Sequence, residues 1–263
     1  MVDSSSLEVT WVGHATALIE LDGVRVLTDP ALTRRLAHLR RHHPVDLDQL
    51  GDIDAVLISH VHMDHLHLPS LRLLGPDLLL LVPTGAGAML RRRGFATREV
   101  VVGDHVPLAA VDVEVVPAIH PDRRGPHSRV RADAIGYVLR GPSGTVYFPG
   151  DTDIFAAMAE LGSVDVALLP IGGWGPTVGE GHLDPDGAAR ASVLLRPRLV
   201  VPIHWGTYSP ITGRRGAPTW LHRPPEQFAR AMEAAGHGDR LRLLEPSERL
   251  RAPTAGTREA NPS

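Results

Sequence analysis

The apolar positions of this chain fall in short runs broken by polar punctuation, a pattern of many strands and few helices. Val9, Trp11 and the run at 17–21 predict strands at the start, and Asp22-Gly23 ahead of a run at 24–27 is a hairpin turn signal. Thr28-Asp29-Pro30 ends that strand. Residues 33–50, with Arg34, Arg35, Arg40, Arg41, His42 and His43, read as a polar, irregular stretch over the mouth of whatever lies below. Runs at 54–58, 78–82, 134–139, 145–148, 166–170 and 199–203 predict buried strands. Val111, Val113 and Val115 alternate with Asp112 and Glu114, as in a strand with one wet face. Helices are predicted at 66–74, at 85–93 with Gly94 as the stop, from Asp184-Pro185 to about Leu195, and at 225–235.

Strands occur in both halves, each half closes with helices, and no low-complexity linker interrupts residues 7–250. The expectation is one α/β domain over residues 1–251, two sheets packed face to face with helices outside. Residues 252–263 are expected to form a disordered tail.

The polar residues that end these strands carry the chemistry. Ser59-His60-Val61-His62-Met63-Asp64-His65 follows the run at 54–58, so four ligand-type side chains leave one strand together. His60 and His62, two apart on extended chain, lie on the same side. Asp64 and His65 point elsewhere if the chain turns helical there, an arrangement able to serve two cations a few ångströms apart. Three more candidates occupy the same position in other strands: His120 after 113–119, Asp151 after Phe148-Pro149-Gly150, and His204 after 200–203. Five imidazoles and two carboxylates suit zinc, with manganese, iron or cobalt as alternatives. A carboxylate has two oxygens, so Asp151 can bridge two cations.

Composition narrows the field. The 15 histidines among 263 residues are unusually many, and the absence of cysteine excludes disulfides and thiolate ligands. A net charge of -3 gives no basic bias, so nucleic acid is not an expected partner. No run is long enough to span a bilayer, and the first residues lack a signal region, so a soluble, cytoplasmic protein is expected.

The ordered set His60-x-His62-x-Asp64-His65, then His120, Gly150-Asp151-Thr152 and His204, resembles the metallo-β-lactamase superfamily. Gly13-His14-Ala15-Thr16 and Ile203-His204-Trp205-Gly206-Thr207 resemble one branch of it, which holds the ascorbate-6-phosphate lactonases and the N-acyl-phosphatidylethanolamine phospholipase D enzymes. The resemblance covers residues 9–210 and implies an αββα sandwich of two mixed sheets with a dinuclear site at one edge. It implies that His60, His62 and His120 hold one metal ion, that Asp64, His65 and His204 hold the other, and that Asp151 lies between. A hydroxide bridging the two divalent ions, zinc first and manganese or iron as alternatives, would be the nucleophile, oriented by Asp64. The chain departs from the branch at His67, where similar proteins often carry Asp, and at Pro121, where they carry an aromatic residue.

Secondary candidates keep two readings each. By resemblance, His182 faces the metals to bind substrate or protonate the leaving group; otherwise it is a loop histidine capping the helix after it. His14 is either near the substrate or a buried structural histidine. Arg123, Arg124 and Arg129 either bind a phosphate or carboxylate or form a solvated loop. Trp174, Trp205 and Tyr208 either wall a pocket or pack.

The function this supports is metal-dependent hydrolysis of a small phosphodiester or a lactone or other ester, with a slight preference for phosphodiesters from the arginines after His120. A nuclease of the same superfamily is the alternative, disfavoured by net charge and by the lack of an appended basic segment. Diiron oxidoreductases usually have glutamate at the second histidine of the string, where this chain has His62. A metal-stabilised binding protein without turnover is the remaining class. Similar proteins form dimers or larger rings, which leaves a homo-oligomer open.

Overall fold

The structure, a computed structural model, describes residues 6–125, 127–211 and 217–253. The chain opens with β1 (Leu7–Gly13), β2 (Thr16–Leu21) and β3 (Val24–Thr28), an antiparallel meander. Asp22 and Gly23 both take positive φ, 49° and 82°, as the predicted hairpin requires. Two short strands, β4 (Arg35–Leu36) and β5 (Leu39–Arg41), precede β6 (Ala55–Leu57), α1 (Leu68–Leu74), β7 (Leu79–Pro83), α2 (Gly87–Arg91) and β8 (Thr97–Val100). The second half runs β9 (His105–Leu108), β10 (Val111–Pro117), β11 (Ile135–Gly141), β12 (Gly144–Phe148), β13 (Val166–Pro170), α3 (Pro185–Leu195) and β14 (Leu199–Ile203). It ends with β15 (Tyr208–Pro210), α4 (Pro224–Ala234) and β16 (Glu248–Ala252).

One sheet has the order β16-β1-β2-β3-β6-β7-β8 and the other β14-β13-β12-β11-β10-β9. Both are mixed: β3, β6, β7 and β8 pair in parallel, as do β12, β13 and β14, and the remaining pairs are antiparallel. Alternation builds the layers of the first sheet. Ile19, Val26, Leu57 and Leu81 point to the core shared with the second sheet, while Leu18, Leu27, Val56 and Leu80 point to the opposite side. There they pack with Leu71 of α1 and Leu90 of α2. In the second sheet Val166, Ala167, Leu168 and Leu169 are all buried, and Ala188, Ala191, Phe228 and Met232 of α3 and α4 share their cluster. The result is the expected αββα layering. Asp184 caps α3 as its sequence predicts, its Oδ1 accepting from the Gly187 N–H at 2.7 Å, with Pro185 at the first helical position.

Three expectations need correction. Residues 33–50 are irregular only in part: β4 and β5 join β15 in a small three-stranded sheet, while 42–47 form no regular element. Leu36, Leu39 and Arg41 are buried, and the Arg41 guanidinium donates to the carbonyls of Ala31, Val12 and His43. The strands β8, β9 and β16 were not anticipated, because each is short and carries charged or polar residues at an edge position. Ala252, assigned to the tail, is the last residue of β16 and pairs with Leu7; residues 254–263 lie outside the described residues.

Tyr137 in β11 joins the two sheets. Its buried hydroxyl donates toward the Ile58 carbonyl at 2.9 Å and lies 3.2 Å from the Leu81 carbonyl, at the end of β6 where the His60 string begins. Removing that hydroxyl leaves the buried Ile58 carbonyl without its donor. Tyr137→Phe should therefore lower stability by about 1–3 kcal/mol, read as a shift of the urea midpoint without a change in slope; an unchanged midpoint would contradict the role.

Candidate metal centre

Strand direction brings the seven sequence-selected side chains to one place. The two antiparallel steps through β11 restore direction, so β10, β12, β13 and β14 point the same way and their C-terminal ends share an edge. His120 follows β10, Asp151 follows β12 and His204 follows β14. The loop after β6 brings His60, His62, Asp64 and His65 across from the other sheet. Gly150 is required here: its φ is 64°, and a Cβ on it would lie 2.2 Å from the Ser59 side chain.

Two clusters result. His60 Nε2 is 3.0 Å from His62 Nδ1, which is 2.9 Å from His120 Nε2. Tetrahedral zinc with bonds of about 2.0–2.1 Å separates its nitrogens by about 3.3 Å, so this triangle needs little adjustment to accept a cation. On the other side His65 Nε2 and His204 Nε2 are 3.1 Å apart, with Asp64 Oδ2 at 3.6 and 3.8 Å from them. Asp151 lies between, its Oδ2 at 3.0 Å from His65 and 3.4 Å from His204. Its Oδ1 is buried and has no hydrogen-bond partner among the described residues. An orphaned carboxylate oxygen in a dry site is costly, and a cation is the partner its chemistry calls for.

Outer contacts fix the rings. Nδ1 of His65 donates to Asp29 Oδ2 at 2.7 Å, and Nδ1 of His120 and His204 donate to the carbonyls of Gly181 and Gly172, each at 2.7 Å. Each arrangement leaves Nε2 facing inward. Asp29 is fully buried and also accepts from the Ser59 N–H and Oγ–H, and Ser59 Oγ lies 3.0 Å from His60 Nδ1. Sequence reading passed over Asp29 as a turn residue. The available signal was its position at the end of β3, the parallel neighbour of β6.

Charge follows from this burial. Burial opposes ionisation of Asp151, but His204 and His65 hold its carboxyl well below the usual range. Burial pushes His60 well down, His120 down to about 4 and His14 down to about 3. Burial would also lower His65, but Asp151, Asp64 and Asp29 raise it well above the ordinary value.

The secondary candidates divide. His182 faces the centre, with Nε2 at 3.4 Å from Asp151 Oδ2; Asp184, not His182, caps α3. Burial lowers its pKa, but Asp151 prevails and raises it. Trp174 lines a cavity of about 420 Å³ that opens on His62, Asp64, Asp151, His182 and His204, and the His38 ring meets it edge-on. Arg124 lines the same cavity, but its Nη1 donates to the carbonyls of Val61 and Leu66. Arg123 and Arg129 are exposed and are not among the lining residues. Trp205 does not reach the cavity: it is buried and stacked on Trp11 at 4.9 Å. Tyr208 is buried, its hydroxyl donating toward the carbonyls of Ala31 and Thr33. His14 is buried behind Asp64, at 3.0 Å from Oδ2, and is cut off from the cavity. His67 is turned away to Ser70.

Residues 24–205 match the family described as the beta-lactamase superfamily domain. The chain is 37% identical over 250 residues to an uncharacterized protein of Mycobacterium tuberculosis, an alignment covering 88% of this chain, which spans 65% of that protein's length. It is 30% identical over 257 residues to N-acyl-phosphatidylethanolamine-hydrolyzing phospholipase D 1 of Caenorhabditis elegans, covering 88% of this chain and 71% of that one. Among solved structures it is similar to Igni18, a metallo hydrolase from Ignicoccus hospitalis, with a TM-score of 0.72 at 27% identity over 94% of this chain and 98% of that one. The chain belongs to the β-lactamase superfamily and has the metallo-β-lactamase fold.

Two outcomes are expected. Asp29→Asn should weaken zinc binding about 10–100-fold, the usual cost of losing an outer hydrogen-bond partner, measured by competition with a chromophoric chelator; unchanged affinity would show that Asp29 does not tune the site. The second concerns pH. Unfolded histidines titrate near 6.5, whereas His14 and His120 lie near 3 and 4 in the fold. Between those values and about 6.5 the unfolded chain binds protons that these two refuse, so the metal-free protein loses stability as pH falls through that window. The raised His65 contributes stability that is fully present below about 6.5 and is lost only as pH rises through its higher folded value. Urea midpoints of metal-free protein at pH 7, 6 and 5 should decline in that order; a flat series would refute this assignment.

Proposed function

We propose that the chain is a two-cation hydrolase acting on a small phosphodiester or carboxylic ester, lactones included, whose substrate carries an apolar group. The observation that carries this is Asp151: one oxygen faces His65 and His204 while the other is buried with no hydrogen-bond partner among the described residues, and a nitrogen of His120, from the three-histidine cluster, lies within 4.8 Å of an Asp151 oxygen. His60, His62 and His120 would hold one cation, Asp64, His65 and His204 the other, and Asp151 would serve both. All seven ligands are nitrogen or oxygen, which favours zinc and admits manganese or iron. When bound, the cations supply a water ionised near neutral pH and Lewis acidity toward charge developing on the substrate.

The chain's own residues supply the rest. Asp64 lines the cavity and is placed to accept a hydrogen bond from an attacking water. His182, on the cavity wall with its ring turned toward Asp151, is placed to give a proton to a leaving group. Leu36, Leu39, Met63, Trp174 and Val178 make the remaining wall apolar and support an apolar substrate moiety. The arginine argument for phosphodiesters is weakened, since Arg124 is engaged with the loop backbone and Arg123 and Arg129 are not in the lining. A single lining arginine also favours a small molecule over a nucleic-acid strand.

The test is hydrolysis of bis(p-nitrophenyl) phosphate and of an aryl lactone by zinc- and manganese-loaded protein. Turnover of at least one is expected. Asp151→Ala should lower it about a hundredfold or more, beyond the 10–100-fold of an outer-contact loss, while the metal-free protein keeps its circular dichroism. Turnover of the lactone alone would remove the phosphodiester reading. Metal-replete protein inert toward both, or an unaffected Asp151→Ala, would overturn the proposal.

A further inference from the structure

His14 is fixed more thoroughly than a substrate contact needs to be. It sits at φ 55°, a left-handed conformation that costs a non-glycine residue and persists only when the surroundings impose it. Its N–H donates to Thr207 Oγ1 at 2.6 Å, and its carbonyl accepts from Trp11 Nε1 at 2.9 Å and from the His204 N–H at 2.8 Å. The ring lies against His204 at 4.1 Å between centroids, with the Tyr208 ring meeting it edge-on. From this mount Nε2 reaches Asp64 Oδ2 at 3.0 Å.

Two roles fit that contact, a further cation ligand or a donor to Asp64. The rings of His65, His120 and His204 each have Nδ1–H tied to an oxygen, which leaves an Nε2 lone pair facing the centre. His14 Nδ1 has no such acceptor among the described residues, so nothing holds its proton away from Nε2. A neutral imidazole 3.0 Å from a carboxylate oxygen satisfies both groups by donating.

We propose that His14 is a positioning residue that donates from Nε2 to Asp64 Oδ2 and thereby sets the carboxylate for the cation held with His65 and His204. The proposal rests on the two-cation reading above. Asp64 lies in a loop, and among the described residues His14 Nε2 makes the shortest contact with its carboxylate, at 3.0 Å against 3.6 Å for His65 and 3.8 Å for His204. Without the donor it is free to rotate, and the cation on that side loses a preset ligand. The three-histidine cluster does not touch His14 and should be unaffected.

The experiment counts cations. Wild type, His14→Phe, His14→Asn and His14→Gln are dialysed against buffered free zinc, assayed by mass spectrometry, and titrated with Co2+ while the visible spectrum is followed. Phe keeps a ring without a donor; Asn tolerates positive φ but is too short to reach Asp64; Gln restores an N–H at the reach of Nε2. Wild type should bind two ions. Phe and Asn should keep one and bind the second about 10–100-fold more weakly, and Gln should recover most of that loss. Unchanged second-ion affinity in both Phe and Asn overturns the proposal, as does a Gln variant as weak as they are, which would make His14 a ligand. A single ion in wild type would overturn the two-cation reading itself, an outcome read before any substitution is made.

Discussion

Three carboxylates, two of them buried and the third half-buried, surround one imidazole, and much of the structure answers to that fact. Asp29 lies 2.7 Å from Nδ1 of His65, while Asp151 and Asp64 lie 3.0 and 3.6 Å from its Nε2. Negative charge withdrawn from water is tolerated only when it is paired and hydrogen-bonded. A single histidine cannot balance three carboxylates, even with its affinity for a proton raised as it is here. Ser59 satisfies part of Asp29, and His14 part of Asp64. Asp151 retains an oxygen with no hydrogen-bond partner among the described residues. The remaining deficit is positive charge, which is why the cluster reads as a cation site and not as a set of core histidines.

The fold holds this arrangement by over-determining its backbone. Asp29, His14 and His204 all adopt positive φ, at 31°, 55° and 64°, although none is glycine. Such conformations cost about 1–3 kcal/mol each and survive only where neighbours enforce them. Here the enforcement is mutual, because the carbonyl of His14 accepts from the backbone of His204 while Thr207 binds the backbone of His14. The two short motifs at 13–16 and 203–207 are thus one structural unit. Trp205, stacked on Trp11, is its apolar half.

Much of this was legible because strand-end placement leaves a trace in sequence. An apolar run followed at once by His or Asp is conspicuous, and it recurred at positions 60, 120, 151 and 204. Asp29 obeys the same rule after residues 24–28, but Asp followed by Pro30 also spells an ordinary turn, and only pairing of β3 with β6 separates the two. Trp205 was ambiguous for another reason: its partner Trp11 is 194 positions away, and no local pattern records that contact. β16 was hidden because Glu248, Arg249 and Arg251 give it a charged, solvated pattern, yet Arg249 pairs with Glu8 and Glu20 and Arg251 with Glu8 at the sheet edge. The arginines after His120 misled because proximity in sequence says nothing of side-chain direction.

Histidines 60 and 204, separated by 144 positions, meet at the same edge of the sandwich. Ions seated between them would tie the two halves of a chain that has no cysteine into one closed loop. In the chain-entropy picture, closing a loop of about 100 residues removes some 4.7 kcal/mol of freedom from the unfolded ensemble. The centre would then act as a staple as well as a reagent, and a chelator would do to this protein what a reductant does to a disulfide-bonded one.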